Sequence, residues 1–400
     1  MNVFTPITSC ASCLTQNLSL LHDFGIVPLA GYFPIAGSKN QRFLIPLSLL
    51  RCNLCGLVQV TPSVEDSVLF SDYRYLSGFA MKRHFEELAN WIVAKFGLES
   101  KVLEIGSNDG TLMDELAARG FDIAGVDPAE NVTDRAKAKG HKVYNDYFSP
   151  NFILEHGLAD SYELVISCNS FAHISNIREI CEGISLALRD KGKFIVEVQA
   201  WPELVKQGAF DFVYHEHRYY YDLNSISNLL LQFNLFLCQT EMTASHGNSY
   251  RLIFEKNGSK DKYLNLMSQA QETRFTEEEI TQKIEKFNKA IFILQQKLID
   301  LKAQGKKVIA FGASGRGNMI LGHLNVQGLI STVYDESPER VGRTMGFTDI
   351  PVSAFKQLKS DDYDVCVILA WNHADTIIKK WPHGNKKLLK PLPDLLEVLT

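Results

Sequence analysis

Residues 102–112, VLEIGSNDGTL, carry the clearest sign of the fold. Its first, largely apolar residues predict a short buried strand, a polar turn follows, and the final residues begin a helical pattern. Glu104 lies near the end of the strand, and Gly106 and Gly110 flank the turn. A glycine turn between a strand and a helix brings backbone N–H groups close to a ligand. The spacing is ExGxxxG, whereas a dinucleotide pyrophosphate site is expected to show GxGxxG.

The same alternation of strand, turn and helix continues along the chain. FDIAGVD predicts a second strand, HKVYNDYF a third, and YELVISCNSF and KFIVEVQ further buried strands. Such alternation is typical of an α/β fold with a doubly wound parallel sheet. Asp127 ends the second strand, where a carboxylate can accept both hydroxyls of a ribose. Asp146 lies in NDYF at the expected end of the third strand, where we expect adenine.

ExGxxxG and these acidic strand ends together resemble a class I S-adenosylmethionine (SAM) methyltransferase. The resemblance implies SAM as the cofactor and a binding site built from the carboxyl ends of the first four strands. The cofactor-binding residues that it implies are Glu104, Gly106, Ser107, Asn108, Gly110, Asp127, Pro128, Asp146, Tyr147, Phe148 and Asn169.

The eight cysteines divide into two groups. Four lie singly within apolar runs, where we expect small core residues. These are Cys168, Cys181, Cys238 and Cys366. The other four form two CxxC pairs, Cys10 with Cys13 and Cys52 with Cys55. Two such pairs suit four thiolates around one tetrahedral Zn²⁺, a closed site that is structural and not catalytic. Disulfides are the alternative, which a reducing cytoplasm disfavours.

Length and composition describe a folded protein of several domains. The chain has 400 residues, more than one ordinary core accommodates. Its hydrophobic content is 46%, and its net charge of −5 gives no electrostatic footprint for nucleic acid. The N-terminal residues lack the basic segment and apolar run of a secretory signal, and no apolar stretch approaches membrane-spanning length. We therefore expect a cytoplasmic protein with no nucleic-acid or membrane partner.

Residues 276–303 predict one long helix. Thr276 and Glu279 form a capping box, Gly305 follows the end, and apolar residues recur every three or four positions. This apolar stripe is consistent with a coiled-coil dimer or with a helix that bridges two domains of one chain. We favour the bridging helix and expect a monomer. A second α/β unit follows, with the strand VIAF and the glycine turn GASGRGN.

The segment YHEHRYYYD, residues 214–222, gathers many titratable and hydroxyl-bearing side chains. By itself it is equally consistent with a polar strand end among aromatic neighbours. Paired CxxC, ExGxxxG, YHEHxxYY and GASGRGN occur in this order along the chain. Together they resemble the sugar C-methyltransferases that modify nucleotide-linked deoxysugars, of the C-3′-methylating type. One departure is Gly31, which ends PLAG where family members often carry asparagine in a PLAN-like segment.

The resemblance implies methyl transfer from SAM to C-3′ of a nucleotide-linked 4-keto-6-deoxyhexose, with dTDP the expected nucleotide and GDP the alternative. The ketone acidifies the C-3′ hydrogen, a base removes it, and the enolate attacks the methyl group. His217 is implied as the base, with Glu216 fixing its tautomer or contacting the sugar. The remaining catalytic residues implied are Tyr214, His173 and Tyr75.

The GASGRGN turn follows a strand and begins a helix, so its N–H groups and Arg316 are suited to a phosphate. An NAD site is the alternative for this half of the chain. The resemblance instead implies that the nucleotide of the sugar substrate binds here. The substrate-binding residues are then Ser314, Arg316, Gly317, Asn318, Asp335, Trp371 and Asn372.

Four segments are therefore expected. They are a zinc-binding domain (1–70), a SAM-dependent methyltransferase domain (71–255), connecting helices (256–302) and a Rossmann-like nucleotide-sugar-binding domain (303–400). Two alternative functions remain: an O- or N-methyltransferase acting on a nucleotide sugar, and a non-catalytic zinc-containing protein that binds nucleotide sugars. The intact ExGxxxG turn and Asp127 favour an enzyme.

Overall fold

The framework of the protein consists of four β-sheets, with two, four, seven and six strands in the described part of the chain. The computed structural model describes residues 3–37, 43–70, 76–77, 81–97, 100–270, 272–324 and 328–399. Within these ranges no helix is both long enough and apolar enough to cross a membrane.

The N-terminal segment forms a small antiparallel sheet whose last strand comes from a distant part of the chain. Its own elements are β1 (Phe4–Thr5), β2 (Leu18–Pro28), β3 (Leu44–Cys52), β4 (Val58–Thr61), β5 (Ser63–Val64) and α1 (Asp66–Phe70). Strand β11 (Tyr219–Tyr220) pairs with β4, so that Tyr219 lies opposite Gln59. The YHEHRYYYD segment is thereby attached to the N-terminal sheet.

The central sheet has seven strands in the order β12-β13-β10-β9-β6-β7-β8. The strands are β6 (Lys101–Ile105), β7 (Asp122–Val126), β8 (Lys142–Tyr144), β9 (Tyr162–Cys168), β10 (Leu188–Gln199), β12 (Leu235–Thr243) and β13 (Ser249–Lys256). Strand β13 runs antiparallel to both of its neighbours, and the other neighbouring strands of this sheet pair in parallel. This order is that of a class I SAM methyltransferase, so the predicted fold class is confirmed.

Helices alternate along the chain with the strands of the central sheet. They are α2 (Lys82–Phe96), α3 (Thr111–Ala117), α4 (Glu130–Ala138), α5 (Pro150–Glu155), α6 (Ile177–Ala187), α7 (Trp201–Gln207), α8 (Leu223–Leu231) and α9 (Lys260–Gln269). Two boundaries differ from the sequence expectation. Strand β8 ends at Tyr144, so NDYF forms a loop after the strand, and β10 begins earlier than KFIVEVQ, at Leu188.

The C-terminal sheet has six strands in the order β16-β15-β14-β17-β18-β19. Its elements are β14 (Val308–Phe311), α11 (Gly315–His323), β15 (Val333–Asp335), β16 (Val352–Ala354), β17 (Val365–Ile368), α12 (Ala374–Lys379), β18 (Lys387–Lys390) and β19 (Leu396–Leu399). Numbered by chain position, this is the 3-2-1-4-5-6 order of a Rossmann fold. Its switch point, where such folds bind nucleotides, lies between β14 and β17.

The long helix α10 (Glu277–Ala303) joins the two halves. Its capping box is present: the Glu279 N–H donates to Oγ1 of Thr276 over 3.2 Å, and the Thr276 N–H donates to the Glu279 carboxylate over 2.8 Å. Its apolar stripe is buried in one core with residues of the N-terminal sheet, α7 and the C-terminal unit. The apolar stripe therefore packs against other parts of the same chain, as expected for a helix that bridges two domains.

Candidate active site

A cavity of about 350 Å³ lies at the carboxyl ends of β6, β7 and β9. This is the switch point of the central sheet, where open α/β sheets bind their ligands. Eight of the predicted cofactor residues line the cavity: Gly106, Asn108, Asp127, Pro128, Asp146, Tyr147, Phe148 and Asn169. The other three, Glu104, Ser107 and Gly110, are buried residues of the same strand and turn.

Local geometry explains the ExGxxxG turn. Gly106 has φ 75°, and a Cβ built there would lie 2.5 Å from Cβ of Ser170, so only glycine fits. The turn also fixes Asp127, because the N–H groups of Asn108 and Ala129 donate to its two oxygens over 3.0 and 2.9 Å. Burial raises the pKa of Asp127, while these N–H bonds lower it. The carboxylate is therefore held in a fixed place in the cavity wall.

A second cavity, of about 770 Å³, is enclosed by all three parts of the chain. Ala30 and Gly31 of the N-terminal segment line it, together with Tyr214, Glu216 and His217 of the YHEH motif and with the GASGRGN turn. Met81, Asn169 and His173 line both cavities. A group bound in one cavity can therefore meet a group bound in the other at this shared wall.

His217 and Tyr214 form a hydrogen-bonded pair in the wall of the second cavity. Nδ1 of His217 lies 3.1 Å from the carbonyl oxygen of Phe212, which can only accept, so Nδ1 carries the hydrogen. In the neutral ring Nε2 then has the lone pair, and the Tyr214 hydroxyl donates to it over 2.8 Å. The basic nitrogen of His217 thus faces Tyr214 and the cavity.

Glu216 lies beside this pair and is almost completely buried. Its Oε1 accepts the Gly31 N–H over 2.6 Å, and its Oε2 has no hydrogen-bond partner among the described residues. Burial raises the pKa of the Glu216 carboxyl. A Cβ on Gly31 would lie 3.0 Å from Oε1 of Glu216. Glycine at this departure from the family pattern therefore gives the carboxylate its space.

His173 occupies the shared wall between the cavities. Its ring centroid lies 4.9 Å from that of His217, and it stacks on Phe70 at 6.5 Å. Four of the predicted catalytic residues, Tyr214, Glu216, His217 and His173, are thus brought together. The fifth, Tyr75, lies outside the described residues.

The rest of YHEHRYYYD has structural contacts. Nε2 of His215 is bonded to the carbonyl of Pro46, and burial lowers the pKa of this histidine to about 4. The Arg218 guanidinium reaches the carbonyl of His173 and Asp66 of α1, and Asp222 caps α8. The segment is therefore polar for two reasons. Some of its side chains face the cavity, and others bind the segment to neighbouring parts of the chain.

The predicted nucleotide residues divide in the same way. Ser314, Arg316, Asp335 and Asn372 line the second cavity. Ser314 caps α11, and both oxygens of Asp335 accept backbone N–H groups. Gly317 is buried. Asn318 is fully buried and donates to the carbonyl of Ala30 over 2.8 Å, so it joins α11 to the N-terminal segment and does not face a ligand.

Arg316 and Trp371 contact an acidic residue that sequence analysis had not singled out, Asp211. Nε and Nη2 of Arg316 donate to the two oxygens of Asp211 over 2.7 and 2.9 Å. Nε1 of Trp371 donates to the same carboxylate over 2.8 Å. These bonds use two of the five guanidinium N–H groups of Arg316, whose side chain also lines the second cavity.

Two further cavity residues were missed by sequence analysis. Arg340 lines the second cavity, and its buried Nε has no hydrogen-bond partner among the described residues. His84, on α2, lines the same cavity and lies 2.5 Å from the buried carboxylate of Glu197. Arg340 sits in a loop and His84 in an amphipathic helix, and no local motif marks either. In the sequence, Arg340 is marked only by its place five residues after Asp335, the predicted substrate-binding residue.

The four N-terminal cysteines form one cluster whose sulfurs lie within 4.8 Å of one another. Cys10 to Cys55 and Cys13 to Cys52 are the nearest pairs, with Sγ atoms 3.5 Å apart. Tetrahedral Zn²⁺ with Zn–S bonds of about 2.3 Å places its sulfurs roughly 3.8 Å apart. The donor set and its spacing therefore fit zinc, whereas a disulfide needs about 2.05 Å.

Comparison with known proteins agrees with this architecture. A methyltransferase-domain family model matches residues 79–240, and a C-methyltransferase C-terminal domain model matches residues 244–393. C-methyltransferase NovU of Streptomyces niveus is 28% identical over 421 aligned residues, which cover 98% of this chain and 97% of NovU. The sequence resemblance to C-methyltransferases is thereby confirmed.

Solved structures that resemble the chain cover a smaller part of it. Magnesium protoporphyrin IX methyltransferase from Synechocystis PCC 6803 with bound SAM is 17% identical, with a TM-score of 0.34, over 44% of this chain and 79% of that one. A SAM-dependent methyltransferase structure from Listeria monocytogenes is 16% identical, with a TM-score of 0.36, over 44% of this chain and 100% of that one.

The strand order of the central sheet, the cavity at its switch point and the matches to the two domain models agree along the length of the chain. The chain is therefore a SAM-dependent C-methyltransferase related to NovU.

Proposed function

We propose that the chain transfers a methyl group to C-3′ of a nucleotide-linked 4-keto-6-deoxyhexose, through an enolate. One observation carries the proposal: an oriented base, His217, lies in a large cavity that adjoins the cofactor cavity at one end and a Rossmann-type glycine turn at the other. Methylation of carbon requires such a base because a C–H bond is not nucleophilic until its proton has been removed.

The residues of the second cavity divide the proposed reaction between them. When bound, SAM supplies an electrophilic methyl group on a sulfonium. The C-3′ proton passes to Nε2 of His217, directly or by way of the Tyr214 hydroxyl, whose own proton then moves to Nε2. The electron pair of the broken C–H bond spreads onto the ketone oxygen. His173, in the shared wall, is placed to donate to that oxygen or to stabilise its charge.

Glu216 suits the recognition of the sugar itself. A buried carboxylate oxygen without a protein partner is costly unless a ligand supplies a donor. Oε2 of Glu216 is such an atom among the described residues, and its residue lines the cavity next to His217. We assign it to a sugar hydroxyl or amino group, while the Gly31 N–H holds the other oxygen in place.

The opposite end of the cavity suits a nucleoside diphosphate. It is lined by two cations, Arg340 and Lys380, and by two aromatic residues, Phe355 and Trp381. The glycine turn lies beside them, with Ser314 as the N-cap of α11. Cations bind phosphate, and aromatic faces stack on bases. A dTDP-sugar is the first candidate substrate and a GDP-sugar the second.

We also propose that the four N-terminal cysteines hold one structural Zn²⁺. Thiolate ligation of zinc agrees with the cytoplasmic location expected from the sequence. The knuckles are tied to the rest of the chain by Gln59, which accepts the Ala11 N–H over 3.0 Å, and by Arg178, which donates to the Ser12 carbonyl over 2.7 Å. Zinc would thus fix the position of β4 and of the β11 strand paired with it.

Incubation with SAM and a panel of nucleotide sugars tests the proposal. The panel contains dTDP- and GDP-linked 4-keto-6-deoxyhexoses and their 4-hydroxy counterparts, and mass spectrometry and NMR locate the added methyl group. We expect one methyl group on C-3′, and only on a 4-keto sugar. Methylation of oxygen or nitrogen, or of the 4-hydroxy sugars, would support an O- or N-methyltransferase instead. Binding without any transfer would support a nucleotide-sugar-binding protein.

A further inference from the structure

Asp211 is a fully buried acidic residue at the contact between the central and C-terminal units. It lies in a short 3₁₀ helix, Phe210–Phe212, just before Tyr214. Its carboxylate accepts two hydrogen bonds from Arg316 and one from the indole of Trp371. A buried carboxylate is stable only when it is paired and hydrogen-bonded in this way. Asp211 therefore has a defined set of partners, all from the C-terminal unit.

Arg316 is held from several sides. Besides the two bonds to Asp211, its guanidinium lies 5.1 Å from the ring centroid of Phe212 and 4.8 Å from that of Trp371. Its side chain is 12% exposed. Bidentate arginine–carboxylate pairs have a fixed geometry, and stacking on aromatic faces adds to it. Reaching a phosphate with Nε or Nη2 would require Arg316 to break this arrangement.

The segment that Asp211 anchors also sets the tautomer of His217. Phe212, the next residue, contributes the carbonyl that accepts the hydrogen of Nδ1 of His217 over 3.1 Å. The hydroxyl of Tyr220 donates to the same carbonyl over 3.3 Å. Movement of this carbonyl would release Nδ1 and permit the tautomer in which Nε2 carries the hydrogen and cannot act as a base.

We propose that Asp211 is a positioning residue for methyl transfer: its ion pair with Arg316 and its bond to Trp371 hold the Phe212 carbonyl against Nδ1 of His217. The C-terminal unit thereby contributes to the state of the base as well as to nucleotide binding. Arg316 acts through Asp211, and Arg340 is the cation that faces the diphosphate. This inference rests on the proposed function, because it takes His217 as the base.

The test measures the steady-state kinetics of Asp211→Asn, Arg316→Gln and the double variant with SAM and the accepted nucleotide sugar. Arg316→Gln leaves the Asp211 carboxylate buried without its cation. The double variant removes both charges, so we expect it to lose less folding stability than Arg316→Gln. Trp371→Phe, which removes the indole donor and keeps a smaller aromatic ring beside Arg316, is a milder variant. Lys286→Gln, which breaks the exposed pair of Lys286 with Asp394, is the matched control.

We expect Asp211→Asn and Arg316→Gln to lower kcat, by up to about 100-fold for a misplaced base, with little change in either KM. Trp371→Phe should lower kcat less. The double variant should be no worse than the more damaged single variant, because the two residues act as one unit. The limb of the kcat–pH profile that reports His217 should shift in these variants and stay in place in Lys286→Gln. Nitrogen-15 NMR of the His217 imidazole should show a different tautomer in Asp211→Asn and Arg316→Gln than in the unmodified protein.

Three results would overturn the inference. One is normal kcat and an unchanged pH profile in Asp211→Asn and Trp371→Phe. Another is a raised KM for the nucleotide sugar at unchanged kcat in Arg316→Gln, which would make Arg316 a phosphate ligand. The third is additive effects in the double variant. His217→Asn is measured in the same assay. Normal turnover by His217→Asn would show that the proposed base is wrong. Normal turnover by Asp211→Asn, with His217→Asn inactive, would refute only the positioning role of Asp211.

Discussion

One backbone carbonyl determines what His217 can do. The oxygen of Phe212 takes the hydrogen of Nδ1, so the lone pair of the neutral ring is on Nε2, next to Tyr214. His215, two residues earlier, has a different environment, since its Nε2 meets the Pro46 carbonyl and the residue is fully buried. Two histidines of one motif are thus suited to different roles, because their hydrogen-bond partners and burial differ.

Asp127 is the residue whose substitution tests the cofactor cavity. Asp127→Ala should weaken SAM binding by roughly 10-fold or more, because charge-assisted hydrogen bonds contribute about 1.5–3 kcal/mol each. Titration calorimetry with SAM measures this directly. Asp134→Ala, an exposed acidic residue on α4, is the control and should bind SAM like the unmodified protein. Unchanged affinity in Asp127→Ala would show that the ribose binds elsewhere.

Arg340 tests the nucleotide end of the second cavity. Arg340→Ala should raise KM for the nucleotide sugar by about 10- to 100-fold with a smaller effect on kcat, since a phosphate contact stabilises bound substrate and transition state alike. Arg340→Lys should recover part of the loss. Arg135→Ala, which removes an exposed pair with Glu339, controls for a lost surface charge. An unchanged KM would contradict the assignment, and NADH binding at this end would favour the dinucleotide alternative.

His215 predicts a pH dependence of stability. Burial lowers its pKa in the folded protein to about 4, while an unfolded histidine titrates near about 6.5. Between these values the unfolded chain binds the proton and the folded chain does not, so stability is complete above about pH 6.5 and falls as the pH approaches 4. The contribution of this group amounts to about 3 kcal/mol at most.

His215→Gln removes that titration. Denaturant unfolding at several pH values between 7 and 4 should show a smaller loss of stability on acidification in the variant than in the unmodified protein. The comparison at pH 7 corrects for any loss that does not depend on pH. Parallel stability curves for the two proteins would contradict the assigned titration.

Strand β11 connects the YHEH segment to the N-terminal sheet. It begins two residues after His217 and pairs with β4, which itself follows the Cys52–Cys55 knuckle. Because this pairing joins distant segments, an ordered N-terminal sheet helps to fix the position of the proposed catalytic residues. Metal binding in such small domains supplies folding energy.

Cys13→Ser should therefore remove the zinc and lower both the thermal stability and kcat. Metal analysis by mass spectrometry and a thermal unfolding scan measure the first two effects. Cys238→Ser is the matched control, because Cys238 lies on β12 outside the cluster. One zinc per chain is expected in the unmodified protein and in the control. A fully active protein without zinc would contradict the structural role.

Elements with a local cause could be predicted from the sequence. The capping box of Thr276 and Glu279 and the glycine turn at Gly106 depend on neighbouring residues, and both are present. NDYF was expected to end a strand and instead forms a loop, because apolar and aromatic content alone does not show where pairing stops. The predicted cofactor residues of this loop nevertheless line the cavity.

At the scale of the molecule, the second cavity exists only because three parts of the chain meet. The order of motifs along the sequence indicated the family and the cavity residues His217, Glu216 and Tyr214. The pairing of Asp211 with Arg316 depends on how the sheets are placed relative to one another, and so does the Nε of Arg340, which has no hydrogen-bond partner in the described part of the chain. No periodicity or spacing in the sequence reports such contacts between distant segments.

In the proposed reaction, His217 removes the C-3′ proton before the methyl group is transferred. NMR of a 4-keto nucleotide sugar in deuterated water measures this step, with the unmodified protein and His217→Asn compared in the presence of a non-transferring SAM analogue. We expect exchange of the C-3′ hydrogen in the unmodified protein and exchange slower by about 10²- to 10⁴-fold in His217→Asn, with binding of the analogue unchanged. Exchange at a normal rate in His217→Asn would contradict it and transfer the role to another residue of the cavity.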